Sequence, residues 1–316
     1  MSDVLRAGVI GVGYLGRFHA RIYNDMPGVD LVGIVDTDKA TADKIAEEYG
    51  TQAHYDPMAL LDSVDVVSVV VPTSLHREVA VPYLERGVHM LLEKPVASTL
   101  EDAQVIIDTA KQHGAILQVG HLERFNAGIM ALADQVNEPR FIEAHRLGPF
   151  VDRATDVDVV TDLMIHDIDI VLALVKDKLT YISATGTPVL TDHVDIANAR
   201  LEFANGAVAN VTASRGSTKK FRRIRVFGRN AYRAINFVDQ QLEEVRTGDI
   251  PEGGSYPEII YTTHNITPTQ PLDAELENFI DTVRSGSQPL VSGEDGLEAL
   301  RVAMLVTDKI HAATQG

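Results

Sequence analysis

The 316-residue chain contains no cysteine. That excludes disulfides, thiolate metal ligands and a cysteine nucleophile, and it agrees with a cytoplasmic location. Aromatic residues are sparse at 6%, and cations are outnumbered, 28 Lys and Arg against 45 Asp and Glu, for a formal net charge of −17. A chain of that charge repels nucleic acid and acidic membranes unless its cations are gathered in one place. One such run exists between residues 215 and 233: Arg215, Lys219, Lys220, Arg222, Arg223, Arg225, Arg229 and Arg233, with no acid among them. It reads either as a solvated strand and loop or as cations facing an anionic substrate. No apolar run approaches the roughly 18–20 residues of a membrane span. Residues 1–6 lack a basic stretch followed by an apolar core, so no secretory signal is expected.

Hydrophobic residues make up 45% and charged residues 23%, the balance of an ordinary globular protein. The length suggests two domains. In the first third, apolar runs at 5–10, 30–35, 64–71, 88–92 and 116–119, with a weaker one at 52–55, alternate with amphipathic stretches at 15–26, 39–49, 74–86 and 100–113. Gly50, Gly87 and Gly114 follow three of these stretches, as left-handed helix ends require. Alternation of this kind predicts a doubly wound parallel sheet with helices on both faces, and the almost wholly apolar run 66–71 fits a central strand. Beyond residue 122 the pattern changes. Helices are expected at 125–135, 159–174, 272–285 and 296–313, and strands at 141–147, 181–187, 196–203, 207–214, 222–227 and 231–237. Asn205-Gly206 marks an antiparallel hairpin. The expected architecture is an α/β Rossmann domain over 1–121, then an α+β domain over 122–316 with a mostly antiparallel open sheet, its last helix packing back on the first domain.

Gly11-Val12-Gly13-Tyr14-Leu15-Gly16 is a G-x-G-x-x-G sequence between an expected strand and an expected helix, the context of dinucleotide binding. Gly11 permits the tight turn, Gly13 lets the backbone approach a pyrophosphate, and Gly16 allows helix–strand packing. The helix N-terminus adds unpaired N–H groups and a positive dipole end. Asp36, ending the second strand, suits ribose hydroxyls and repels a 2′-phosphate, so NAD is expected over NADP, with Lys39 leaving some room for the latter.

Two stretches hold proton-handling residues. Glu93-Lys94-Pro95 follows the fifth strand, on the side of the sheet where ligands bind, and burial beside a positively charged nicotinamide lowers a lysine pKa. Asp162, His166 and Asp169 share one helix face by their i, i+4 and i+3 spacing, within a strongly apolar segment. No further ligand cluster accompanies them, so no metal is expected.

The glycine loop, Asp36, Pro72-Thr73-Ser74-Leu75-His76, Glu93-Lys94-Pro95, Asp162 with His166, the stretch from Leu201 to Gly206 and segments at 275–279 and 293–300 together resemble the Gfo/Idh/MocA oxidoreductase family across nearly the whole chain. The resemblance implies that Tyr14 and Leu15 line the cofactor with the three glycines. It implies that Pro72, Thr73 and His76 lie along the cofactor, and that Glu93 and Lys94 reach the nicotinamide ribose. It further implies that Lys94, Asp162 and His166 surround the reacting hydroxyl, with Lys94 or His166 as base, and that the open sheet forms a homodimer or homotetramer. Many members have D-x-G-x-H where this chain has Met164 in place of glycine, which suggests a bulkier pocket wall. The segments 120–126 and 156–169 are similar to a prokaryotic subgroup with members that oxidise the 3-hydroxyl of UDP-N-acetylglucosamine. On that footing Arg124, Asn126, Arg146 and Arg153 face the substrate, the arginines pairing with a diphosphate; the alternative is that Arg124 and Arg146 form structural ion pairs. Other readings are a free-sugar or inositol dehydrogenase, an enzyme using NAD transiently, and a non-catalytic NAD-binding sensor.

Overall fold

The computed structural model describes residues 4–151, 157–229, 231–237, 239, 241–267 and 269–314. The elements run β1 (Leu5–Ile10), α1 (Gly16–Asp25), β2 (Val29–Val35), α2 (Lys39–Tyr49), β3 (Gln52–His54), β4 (Val66–Val69), α3 (His76–Glu85), β5 (His89–Glu93), α4 (Leu100–Gln112), β6 (Leu117–Gly120), α5 (Ala127–Gln135), β7 (Phe141–Leu147), α6 (Ile165–Val175), β8 (Leu179–Thr187), β9 (Ile196–Phe203), β10 (Val208–Ser214), β11 (Phe221–Gly228), β12 (Ala231–Asn236), β13 (Gln241–Thr247), β14 (Ile259–Asn265), α7 (Pro271–Ser285) and α8 (Gly293–Thr314). The chain forms two compact units, Met1–Leu122 with Gln270–Glu298, and Glu123–Thr269 with Ala299–Gly316.

In the first unit six parallel strands lie in the order β3-β2-β1-β4-β5-β6. The order reverses between β1 and β4, and in open α/β sheets ligands bind outside the strand ends at such a switch point. The strand β4 is buried along its whole length, as its apolar sequence predicted, but is shorter than the run 64–71. Asp38 caps α2 and Thr99 caps α4 through their side chains, and Gly50, Gly87 and Gly114 take the expected left-handed conformation. The core of this unit gathers Val9, Ala20, Tyr23, Ile34 and Leu91 with Leu276, Phe279 and Ile280 of α7.

The second unit holds an eight-stranded sheet in the order β14-β13-β12-β11-β7-β10-β9-β8. Only β7 and β10 run parallel; every other pair is antiparallel. The β9–β10 hairpin closes at Asn205-Gly206, with Gly206 at φ 81° and Ala207 N–H held by the Asn205 side chain. Strands alternate buried and exposed residues, as in β9, so one face builds the core with Ile165, Ile168, Val171, Val302 and Val306. Two strands were not anticipated, β13 and β14. The sequence of β13 is dominated by polar residues, and cross-strand pairs between Glu243 and Arg223 and between Glu244 and Arg233 hold it. Such pairs are tertiary contacts that alternation alone does not reveal.

The expected single helix at 159–174 begins instead with a π-helical turn, Val160–Met164, which continues into α6. Met164 is fully buried in the apolar core of this unit. The expectation that it thickens a pocket wall is therefore corrected: its side chain fills core volume. Among the described residues no helix is long and apolar enough to cross a membrane.

Candidate active site

The glycine loop joins β1 to α1. Gly11 has φ 86°, and a Cβ there would fall 2.4 Å from the Val70 carbonyl oxygen. A Cβ on Gly16 would lie 1.8 Å from the Gly11 carbonyl oxygen. Both contacts are with backbone, which cannot turn aside, so these two positions admit only glycine. Gly13 differs: a Cβ there would meet nothing within 4 Å. The space over Gly13 therefore admits a ligand approaching the backbone closely. No side chain caps the start of α1, so its first N–H groups suit a diphosphate. Asp36 accepts the Val12 N–H at 2.9 Å and the Asp38 N–H at 2.9 Å, which fixes its carboxylate beside the loop with lone pairs left for ribose hydroxyls. Lys39 lies 5.0 Å over the Tyr55 ring. Tyr14 is exposed and Leu15 half-buried at the head of α1. These residues fit a dinucleotide.

At the neighbouring strand ends, Pro72 is exposed and Thr73 half-buried, opening a short 3-10 turn before α3. His76 is fully buried. Its Nε2 lies 3.0 Å from the Val71 carbonyl and its Nδ1 3.3 Å from that of Val96. Burial pushes this imidazole's pKa down, against the pull of those carbonyls. His76 thus braces the segment after β4 against the segment after β5. Both ring nitrogens of His76 are thus turned to backbone carbonyls.

Glu93 ends β5 and Lys94 follows, with a cis bond to Pro95. Glu93 Oε2 accepts the Lys94 backbone N–H at 3.3 Å, and Glu93 Oε1 lies 3.4 Å from Nε2 of the buried His19. Sequence reasoning missed His19 as a site residue. Its signal was available: Gly16, His19, Ala20 and Tyr23 form the buried stripe of α1, and a polar group on such a stripe needs a partner.

In the second unit, Asp162 sits in the π-helical turn and His166 in the first turn of α6, both half-buried. π-turns within helices are frequent at functional sites. Asp169, expected on the same face, is sealed from solvent and lies 3.4 Å from Arg124. Asp167 is buried as well and takes Arg146 through two bonds, 2.7 Å from Nε and 2.9 Å from Nη2. Arg146 also donates to Glu123 at 3.0 Å. Arg222 completes the network, pairing with Glu123 while its guanidinium stacks 4.0 Å over Phe237. Burial opposes the charge on Glu123, but Arg146 and Arg222 outweigh it and hold the carboxyl below its ordinary range. Burial likewise pulls Arg146 down, and Asp167 and Glu123 more than reverse this. Arg222 is lowered by burial and by the neighbouring Arg146.

The structure describes three of the four residues expected to face the substrate. Arg146 takes the structural alternative, its guanidinium paired with Asp167 and Glu123. The Asn126 side chain caps α5 by accepting the Gly128 N–H at 3.0 Å. Arg153 lies outside the described residues. Arg124 is mostly buried beside Asp169. The basic run at 215–233 divides: Lys219, Lys220 and Arg229 are exposed, as the solvated reading expects, and the other five cations form ion pairs. Arg215 is buried against Asp195, and Arg222, Arg223, Arg225 and Arg233 pair with Glu123, Glu243, Glu143 and Glu244. Among the described residues no group of three or more His, Cys, Asp or Glu side chains is placed to hold a metal ion.

The profile of the Gfo/Idh/MocA oxidoreductase family, with its NAD-binding Rossmann fold, matches residues 5–121, and that of the Gfo/Idh/MocA C-terminal domain matches residues 129–232. The UDP-N-acetylglucosamine 3-dehydrogenase of Acidithiobacillus ferrooxidans is 35% identical over 98% of this chain and 99% of its own length. Its solved structure covers 98% of both chains with a TM-score of 0.91. The scyllo-inositol 2-dehydrogenase (NAD(+)) of Bacillus subtilis is 27% identical over 98% of this chain and 95% of its own. A probable dehydrogenase from Thermotoga maritima, 25% identical, covers 98% of both chains with a TM-score of 0.82. A glycine loop at the switch point, a carboxylate ending β2 and two profiles that together span most of the chain make this protein a member of the Gfo/Idh/MocA family of NAD-binding oxidoreductases.

Proposed function

We propose that this enzyme oxidises a secondary hydroxyl of a nucleotide-linked sugar, with the 3-hydroxyl of UDP-N-acetylglucosamine as the leading substrate. The observation that carries this reading is the 35% identity to the A. ferrooxidans UDP-N-acetylglucosamine 3-dehydrogenase over nearly the full length of both chains. NAD, when bound, supplies the hydride acceptor. The chain's own residues bind and orient it and handle the alcohol proton. Gly11, Gly13, Gly16, Tyr14 and Leu15 would hold the pyrophosphate side, and Asp36 the adenosine ribose. Pro72, Thr73, Glu93 and Lys94 would lie toward the nicotinamide half. Lys94 or His166 takes the hydroxyl proton, and Asp162 orients the base or the sugar. Arg124 remains a substrate candidate; Arg146 does not.

The test is NADH formation, followed at its absorbance, with UDP-N-acetylglucosamine, free sugars and inositols in parallel. Turnover confined to unphosphorylated polyols would overturn the nucleotide-sugar reading in favour of an inositol-type dehydrogenase, for which the 27% identity to the B. subtilis enzyme speaks. Cofactor choice is tested separately. The wild type is expected to favour NAD over NADP in kcat/KM by more than about tenfold, or ~1.4 kcal/mol. Asp36→Ser is expected to erase most of that margin, because it removes the charge that repels a 2′-phosphate. A wild type that prefers NADP would defeat this assignment. The sheet of the second unit is proposed to mediate a homodimer or homotetramer, to be measured by light scattering, and the enzyme is proposed to work in the cytoplasm.

A further inference from the structure

The carboxyl of Glu275 is fully buried in the first unit, and among the described residues neither of its oxygens has a hydrogen-bond partner. An acid placed this way is costly, and nothing in the cofactor loop or the proton chemistry proposed above uses it. It projects from α7, which packs against α1 and β5. Gln118 of β6 anchors that turn of α7 by donating from Nε2 to the Glu275 carbonyl at 3.2 Å. The titratable groups facing the carboxyl are Glu93 on β5 and Tyr23 on α1, with His19 of α1 in contact with Glu93. Burial and then the charge of Glu93 push the Glu275 carboxyl well above the ordinary range. Glu93 is hemmed in on its other sides. His19 Nε2 stands 3.4 Å from Oε1, and a Cβ on Gly120 would fall 2.9 Å from Oε2. The same Oε2 accepts the Lys94 backbone N–H.

We propose that Glu275 is a positioning residue for the Glu93–Lys94 turn: with His19 and Gly120 it walls in the Glu93 carboxylate, which holds the backbone of Lys94. As a neutral acid it offers Glu93 a polar neighbour without a second charge. When ionised, it places a like charge against Glu93 and drives that carboxylate, and the Lys94 N–H with it, out of position. The functional consequence rests on the reading of Lys94 as part of the proton-handling site; the positional one does not.

The experiment uses full-length protein labelled with 15N-lysine, the Lys94 amide resonance being assigned with Lys94→Arg, together with steady-state kinetics across pH. Glu275→Leu is expected to move the Lys94 amide by more than a linewidth and to lower kcat on the order of tenfold, the scale of a small misplacement of a reacting group. Glu275→Gln, an uncharged polar analogue, is expected to restore most of both. On the alkaline side the wild-type Lys94 amide shifts as pH rises and kcat declines with it, whereas in Glu275→Gln both changes are lost. A Lys94 amide that coincides in wild type, Glu275→Gln and Glu275→Leu would overturn the proposal. If Glu275→Leu does not fold, the pH response of wild type against Glu275→Gln decides alone, and matching responses overturn it. Lys94→Ala with undiminished turnover would instead remove the reading of Lys94 as a proton-handling group, leaving the amide measurement to judge Glu275.

Discussion

Replacing Lys94 with alanine is expected to lower kcat by a factor on the order of 10³, within the span that a positioned acid or base contributes. NAD affinity is expected to change far less, because the glycine loop and Asp36 stand on other strand ends of the same sheet. The lysine follows β5 directly and is half-buried, and its backbone is tied to the Glu93 carboxylate. That anchoring fixes where the side chain starts, as a proton-transfer group requires. Lys94→Arg keeps the charge but removes a group able to accept a proton at working pH, so it is expected to rescue little. His166→Ala is expected to cost a similar factor. If both residues serve a single proton transfer, the double variant loses about as much as the worse single one, since groups acting as a unit are strongly non-additive. Effects that multiply would show two independent contributions. Full activity of Lys94→Ala would end the assignment.

The second large effect concerns stability. Arg146→Met is expected to destabilise the second unit by about 3–5 kcal/mol, the usual cost of removing one partner from a buried pair. Asp167 would lose both of its bonds from the guanidinium, and Glu123 would keep only Arg222. Substituting Asp167→Leu in the same chain is expected to recover much of the loss, because the remaining apolar surfaces no longer bury an unpaired charge. Urea unfolding of the three proteins measures this; equal midpoints for wild type and Arg146→Met would show that the network contributes nothing. The pH dependence has a definite sign. The Glu123 carboxyl is held below its ordinary value in the folded chain. Its stabilising contribution is therefore present above the unfolded pKa of about 4.3, and it is lost as pH falls toward the depressed folded value. Arg146→Met weakens that dependence. Asp167 also adjoins His166 in sequence, so kcat is expected to fall with stability in the single variant.

The cofactor end of the enzyme was legible in the residues themselves. A glycine spacing, a strand before it, a helix after it and an acid at the end of the next strand are local features, and each has a conformation it imposes through sterics or hydrogen bonding. The alternation of strands and helices likewise announced the parallel sheet, and Asn205-Gly206 the hairpin. The partners of the arginines were another matter. Arg146 and Arg222 lie 23 and 99 residues from Glu123, and no rule of periodicity pairs residues so far apart. Arg146 therefore read equally as a diphosphate ligand or a structural ion pair until the sheet register brought β7 and β11 side by side, with Arg146 opposite Arg222.

By itself, the order of residues determined the Rossmann half and its nucleotide loop, because these depend on backbone conformation over a few consecutive positions. Tertiary structure alone decided which charges are neutralised and which polar groups are sealed in. The side chains of Arg146, His76, His19 and Glu275 have environments set by elements distant in the chain, and burial and Coulomb interaction depend on distance through space.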